Sequence, residues 1–174
     1  MTKWWNKAAG LLLAGAIVAG TGVTALAAET PSTPNRAESA ETRESLQGLR
    51  KLREQIRQTR EKIAKEREEL QQHGATIREL VARLKEEPDK NRVQLEKARV
   101  ELRALRLIRG DIMQVNERIE ESLAALKAAR EARDLDALAR EGVHLLSLLE
   151  TKLDLFKAAN QAAVRAIAHL QAAE

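Results

Sequence analysis

A seven-residue apolar repeat constrains the fold of this chain more than any other feature. Large aliphatic residues occupy every seventh position without a miss: Leu49, Ile56, Ile63, Leu70, Ile77 and Leu84. In coiled coils, residues spaced in this way lie along one face of a helix and pack against a neighbouring helix. The repeat therefore predicts a long first helix, over about residues 37–86, with one continuous packing face.

The companion packing position on the same face is apolar only at its two ends. It is occupied in order by Leu52, Thr59, Glu66, His73 and Leu80. We call the apolar members of both positions the seam: Leu49, Leu52, Ile56, Ile63, Leu70, Ile77, Leu80 and Leu84. A two-stranded coiled coil prefers apolar residues at both positions. The pattern leaves open whether the seam pairs within one chain or between chains, and a dimer is one of the expected states.

Two further helices follow the first. Pro88 removes a helical hydrogen-bond donor and disfavours helical geometry at the preceding residue, so the chain is expected to turn there. The second helix is predicted over about residues 89–132 and the third over 134–172, with Asp134 as the N-cap. The junction at Asp134 contains no Gly or Pro, so a single bent helix is the alternative to two separate helices.

The second and third helices also carry apolar faces. Val93, Val100 and Leu107 keep the seven-residue spacing at the start of the second helix. A distal core is then predicted from three- and four-residue steps: Leu105, Ile108, Ile112, Val115, Ile119, Leu123, Leu126, Leu145, Leu149, Leu153, Phe156 and Ile167. The predicted fold is all-α, a long antiparallel coiled-coil hairpin or three-helix bundle over residues 43–174, preceded by a flexible N-terminal segment.

Composition supports thin helical packing faces. Ala, Glu, Lys, Leu and Arg dominate, which is typical of coiled coils and long helices. Trp4, Trp5 and Phe156 are the only aromatic residues, so large aromatic side chains contribute little to a core. The chain contains no Cys, which excludes disulfides, thiol catalysis and Cys-ligated metals.

The N-terminus is predicted to be a secretory signal over residues 1–27. Lys3 and Lys7 precede a long uncharged stretch, which is the usual order of such signals. The cleavage site is predicted from small residues, with the cut before the last of them: Ala25, Ala27 and Ala28. Because the uncharged stretch spans 21 residues, an uncleaved membrane anchor is the alternative.

The mature protein is therefore expected to be secreted, periplasmic or otherwise part of the cell envelope. Residues 28–42 include Pro31 and Pro34 among small polar residues, which indicates a flexible linker before the helices.

Charge is distributed unevenly along the helices. Residues 36–110 contain 20 Lys and Arg against 14 Asp and Glu, whereas residues 111–174 contain 8 against 11. A basic surface of this kind fits an anionic envelope polymer, lipid head groups or acidic protein segments. The alternative is a solvated helix surface with mixed charges. Nucleic acid is not expected, because the first two helices contain no aromatic side chain on which bases would stack.

No residue pattern predicts catalysis or a cofactor. Glu141 and His144 have the spacing of a helical metal pair, but di-iron bundles need two such pairs and further inward glutamates. The sequence also lacks a Gly-x-Ser-x-Gly elbow. We therefore expect a non-enzymatic protein with no bound metal.

The function expected from the sequence is protein–protein binding by an exported helical protein, as a scaffold or in a chaperone-like role. The first alternative is a protein that binds membranes or anionic surfaces, for which the Ala-rich third helix offers a broad apolar face. A metal-binding helical bundle is the remote alternative.

Overall fold

Three long helices make up the part of the chain that the computed structural model describes, residues 40–86 and 92–173. They are α1 (Ala40–Glu86), α2 (Arg92–Glu131) and α3 (Leu135–Gln171), and these residues contain no strand. The prediction of an all-α three-helix bundle is confirmed. The predicted starts of the first two helices, and the predicted signal, cleavage site and most of the linker, lie outside the described residues.

The third helix lies between the other two. Both α1 and α2 pack along α3, whereas the backbones of α1 and α2 make only slight contact with each other in the described residues. Leu52 of α1 lies against Gly142 of α3, and Glu66, further along α1, bonds to Asn160, further along α3. The two helices therefore run in the same direction. Arg165 of α3 pairs with Glu101 of α2, near the opposite end of α2 from the turn into α3, so these two helices are antiparallel.

Alanine explains the central position of α3. Its buried face is unusually rich in small side chains: Ala159, Ala162, Ala163, Ala166 and Ala173, the last just beyond the helix end. Small side chains allow helix axes to approach toward the lower end of the usual 8–10 Å range. The larger aliphatic residues of α1 and α2 fill the space that remains, and together the three helices form two core clusters.

The turn between α2 and α3 is tight and has a defined cap. The Asp134 backbone N–H donates to the carbonyl of Ala129, and the Arg133 N–H donates to the carbonyl of Arg130. These two bonds form a Schellman motif. The Asp134 carboxylate then accepts a 2.9 Å hydrogen bond from the Ala137 N–H and begins α3. Two separate helices are therefore present, rather than one bent helix.

The α2 packing face shifts its register near the middle of the helix. Its core-facing residues follow steps of three and four, with two successive steps of three around Leu105: Leu95, Ala98, Leu102, Leu105, Ile108, Ile112, Val115 and Ile119. Such a shortened step is a stammer in a heptad pattern. The column of Val93, Val100 and Leu107 lies on the side of α2 opposite Leu102 and is exposed, although its spacing matches that of the seam.

Arg133 allows a test of the turn. It has a φ of 56°, and its Cβ makes this left-handed conformation unfavourable by roughly 1–2 kcal/mol. We expect Arg133→Gly to raise the free energy of unfolding by about 0.5–1 kcal/mol, because the greater freedom of Gly in the unfolded chain offsets part of the gain. Arg133→Ala removes the charge but keeps the Cβ, so urea denaturation of this control is expected to match the wild type. Equal stabilisation by both substitutions would contradict the backbone explanation.

Intrachain packing of the seam predicts the oligomeric state. Since the seam of α1 packs against α3 of the same chain, we expect light scattering to give the mass of a monomer. Small-angle X-ray scattering should show an elongated body, because the 47 residues of α1 extend over about 70 Å. A dimer that persists at low protein concentration would contradict this packing.

Candidate functional site

A buried polar cluster interrupts the α1–α3 interface at mid-length. The side-chain amide Nδ2 of Asn160 donates to the backbone carbonyl of Glu66 at 2.9 Å and to its carboxylate Oε2 at 2.8 Å. The Asn160 Oδ1 lies 3.3 Å from Nδ1 of His73. Asn160 is buried, and Glu66 and His73 are half-buried. Glu66 and His73, the polar residues in the middle of the α1 packing face, therefore have a polar partner on α3.

This cluster fixes the register of α1 against α3. A one-turn slip of either helix would leave the buried Asn160 amide without its partners, which costs about 1–3 kcal/mol for an unsatisfied polar group. Thr59, one heptad before Glu66, is also buried in this face. The polar residues thus select one alignment, as polar core residues do in coiled coils.

Substitution of Asn160 by Asp tests the contact with Glu66. The new carboxylate would face the carbonyl and carboxylate that now accept hydrogen bonds, so we expect a loss of about 2–3 kcal/mol at neutral pH. Repulsion between the two carboxylates raises their pKa values in the folded state. The ionised pair is therefore destabilising above that raised pKa, and the deficit should shrink as the pH falls through it.

Asn160→Ala is the matched control for this prediction. It removes the same hydrogen bonds without adding a charge, so its deficit relative to the wild type should change little between pH 7 and pH 5. Urea denaturation at several pH values measures both variants. Identical pH profiles for the two variants would show that residue 160 does not face Glu66.

A row of exposed aliphatic residues runs along the outside of α2. Val93, Val100 and Leu107 are 64%, 61% and 71% exposed, which is unusual for large apolar side chains at a regular spacing. We call these three residues the α2 stripe. They face away from α3, and a shallow open groove at their N-terminal end is lined by Arg92, Val93, Glu96, Lys97 and Val100.

The surroundings of the α2 stripe are basic. Residues 92–109 contain six Lys and Arg against two Glu. Both glutamates are already paired with cations, Glu96 with Arg99 and Glu101 with Arg165 at 3.0 Å. The pKa of Arg165 is raised by its hydrogen bond to Glu101, as expected for such a pair. The outer face of α2 therefore combines apolar side chains with excess positive charge.

The structure places the predicted seam and distal core on the inside of the bundle. Four seam residues are buried, namely Ile63, Ile77, Leu80 and Leu84, and four are half-buried, namely Leu49, Leu52, Ile56 and Leu70. In the distal core the buried residues are Leu105, Ile112, Val115, Ile119, Leu145, Leu149, Leu153 and Phe156. The half-buried ones are Ile108, Leu123, Leu126 and Ile167.

The apolar face of α3, which the sequence offers as a membrane-binding surface, is covered by α1 and α2. Phe156, Ala163 and Leu170 are at most 1% exposed. Within the described residues, no helix carries an apolar stretch that is long enough to cross a bilayer.

Glu141 and His144, which have the spacing of a helical metal pair, both lie in the first half of α3. His144 is exposed, and Glu141 lies at the α2–α3 interface, where its backbone carbonyl accepts a 3.5 Å hydrogen bond from Ser122. No three His, Cys, Asp or Glu side chains are gathered in a metal-binding arrangement in residues 40–86 and 92–173.

Sequence reasoning missed the role of Asn160. The signal that would have found it is the run of Thr59, Glu66 and His73 in an otherwise apolar face, which requires polar partners on whichever helix packs there. Asn160 is a polar residue within the Ala-rich part of α3, at a core position.

Comparison with protein-family models, with curated proteins and with solved structures finds no match for this chain.

Proposed function

We propose that this chain is an exported, non-enzymatic binding protein of the cell envelope, which holds a helical segment of a partner protein against the α2 stripe. The observation that supports the proposal is the exposure of Val93, Val100 and Leu107 at seven-residue spacing. In this role the bundle is the scaffold and the outer face of α2 is the binding surface.

Heptad spacing favours a helical partner. Residues seven apart form a nearly straight line along a helix, and the α2 stripe extends over about 21 Å at 1.5 Å per residue. An amphipathic helix lays its apolar residues into such a line with regular contacts. Val and Leu side chains at these positions gain roughly 25 cal/mol for each Å² of apolar surface that the partner covers.

The positive charge around the α2 stripe indicates which residues flank the apolar face of the partner helix. The glutamates near the α2 stripe are neutralised by Arg99 and Arg165, whereas Lys97 and Arg106 lie exposed on the outside of α2. A second copy of α2 would place similar positive charges opposite each other, and like charges across an interface are unfavourable. A helix with Glu or Asp beside its apolar residues fits this surface. A chaperone-like role, with acidic amphipathic segments as clients, uses the same contacts.

The alternative is an anionic membrane surface. Basic and apolar side chains on one helix face also suit binding to acidic lipids. The α2 stripe has no Trp or Phe to anchor it at a lipid interface, and its strict spacing is a property of helix pairing rather than of lipid binding. We therefore favour the protein partner.

A synthetic helical peptide tests the proposal directly. The probe is a fluorescein-labelled peptide of three heptads, with Leu at the two packing positions and Glu at the flanking positions. Fluorescence anisotropy should show binding to the wild type, and Val100→Glu should weaken it by about tenfold or more, since the new carboxylate faces an acidic, apolar partner. A peptide with Lys at the flanking positions should bind much more weakly.

Val143→Glu is the matched control variant. Val143 is 60% exposed on α3, near the other end of the bundle, and its substitution should leave peptide binding unchanged. Equal weakening by both substitutions, or equal binding of the Glu and Lys peptides, would count against the proposal. Binding to phosphatidylglycerol vesicles that depends on Val100, without binding to either peptide, would support the membrane alternative.

A further inference from the structure

Lysine occupies one position in an otherwise apolar column of α3. Residues seven apart along this column are buried except for the lysine, which is half-buried: Leu145, Lys152, Ala159, Ala166 and Ala173. The Lys152 side chain therefore starts from a core position in the middle of the bundle. Core positions rarely carry Lys unless its charge is paired.

Two arginines of α1 lie beside Lys152. On α3, Lys152 is between Gly142, which lies against Leu52 of α1, and Asn160, which bonds to Glu66 of α1. Arg60 and Arg67 are seven residues apart and half-buried, and the same column of α1 continues with the buried Gly74 and Val81. Burial lowers the pKa of Lys152, and the nearby charges of Arg67 and Arg60 lower it further. Burial also lowers the pKa of Arg60. The three cations thus form one cluster at the edge of the α1–α3 interface.

The cation cluster of Arg60, Arg67 and Lys152 lacks a counter-charge among the described residues. None of the three forms an ion pair or a hydrogen bond with another side chain there. The Nε of Arg67 is buried and has no hydrogen-bond acceptor within residues 40–86 and 92–173. The carboxylate of Glu66, next to Arg67 in the chain, instead accepts the hydrogen bond from Asn160. Partly desolvated charges of one sign repel each other and destabilise a fold. An anion bound between them would reduce this repulsion.

We propose that the cation cluster binds a small multivalent oxyanion of the phosphate class. Arginine N–H groups match the oxygens of such an anion in a forked arrangement, and the lysine ammonium adds a third charged donor. The buried Arg67 Nε gains its missing acceptor. A free anion fits this position better than a lipid phosphate, because the Lys152 stem starts inside the helix interface. Bound there, the anion joins α1 to α3 and stabilises the bundle. This inference is independent of the function proposed for the α2 stripe.

Thermal unfolding of the full chain tests this site with pyrophosphate as the probe. Pyrophosphate should raise the Tm above that in NaCl of the same ionic strength, by roughly 5–10 °C at a hundredfold excess over its Kd. Lys152→Met keeps the length of the side chain and removes its charge. This variant should have a higher Tm than the wild type in NaCl and should lose most of the response to pyrophosphate.

Lys157→Met is the control, because Lys157 lies on the same helix, is exposed and pairs with Asp154 at 3.3 Å. It should keep the full pyrophosphate response. Isothermal titration calorimetry of wild type and Arg67→Met provides a second readout, with binding expected only for the wild type. Equal effects of pyrophosphate and NaCl on the wild-type Tm would overturn the proposal, as would an unchanged response in Lys152→Met. A response to phosphatidylglycerol vesicles without one to pyrophosphate would overturn the choice of a free anion.

Discussion

The close approach of α3 to both neighbouring helices is the contact on which the rest of the bundle depends. Alanine side chains on α3 allow this close approach, and leucines and isoleucines of α1 and α2 pack against the alanines from two sides. Because the backbones of α1 and α2 contact each other only slightly, each long helix packs mainly against α3. Helices in proteins owe most of their stability to such tertiary packing. The turn at Arg133 and Asp134 is therefore central, since it returns the chain so that α3 packs against α2.

Polar residues divide the length of the bundle into regions with different tasks. The two core clusters provide apolar burial, while Asn160 and its partners on α1 fix the alignment of the helices between them. The cation cluster lies in the same middle region but has no partner of opposite charge among the described residues. A polar cluster whose hydrogen bonds are made within the protein has a structural role. A cluster that lacks an acceptor or a counter-charge can instead bind a ligand. The α2 stripe lies outside both core clusters, which is why we propose it as a binding surface.

Much of the fold could be predicted because periodicity depends only on helix geometry. The unbroken repeat from Leu49 to Leu84 identified α1 and its inward face, and Asp134 identified the start of α3. The same reasoning did not separate Val93, Val100 and Leu107 from the core, since spacing reveals a shared face and not what covers it. Val93 and Val100 are exposed because the buried residues Ala98 and Leu102 lie on the other side of α2, and this becomes visible only when buried and exposed residues are known.

The sequence alone determined the helical class and the side of α1 that is buried, because these follow from local hydrogen bonding and from the period of apolar residues. It left open whether the second and third helices were one bent helix. Only the tertiary structure decided that the seam pairs within one chain and that α3 is the central helix. It also brought Asn160 to Glu66 and Lys152 to Arg60 and Arg67, residues about 90 positions apart. Contacts between helices depend on their relative rotation and register. Those are set by the fit of all three packing faces at once, and no single helix carries that information.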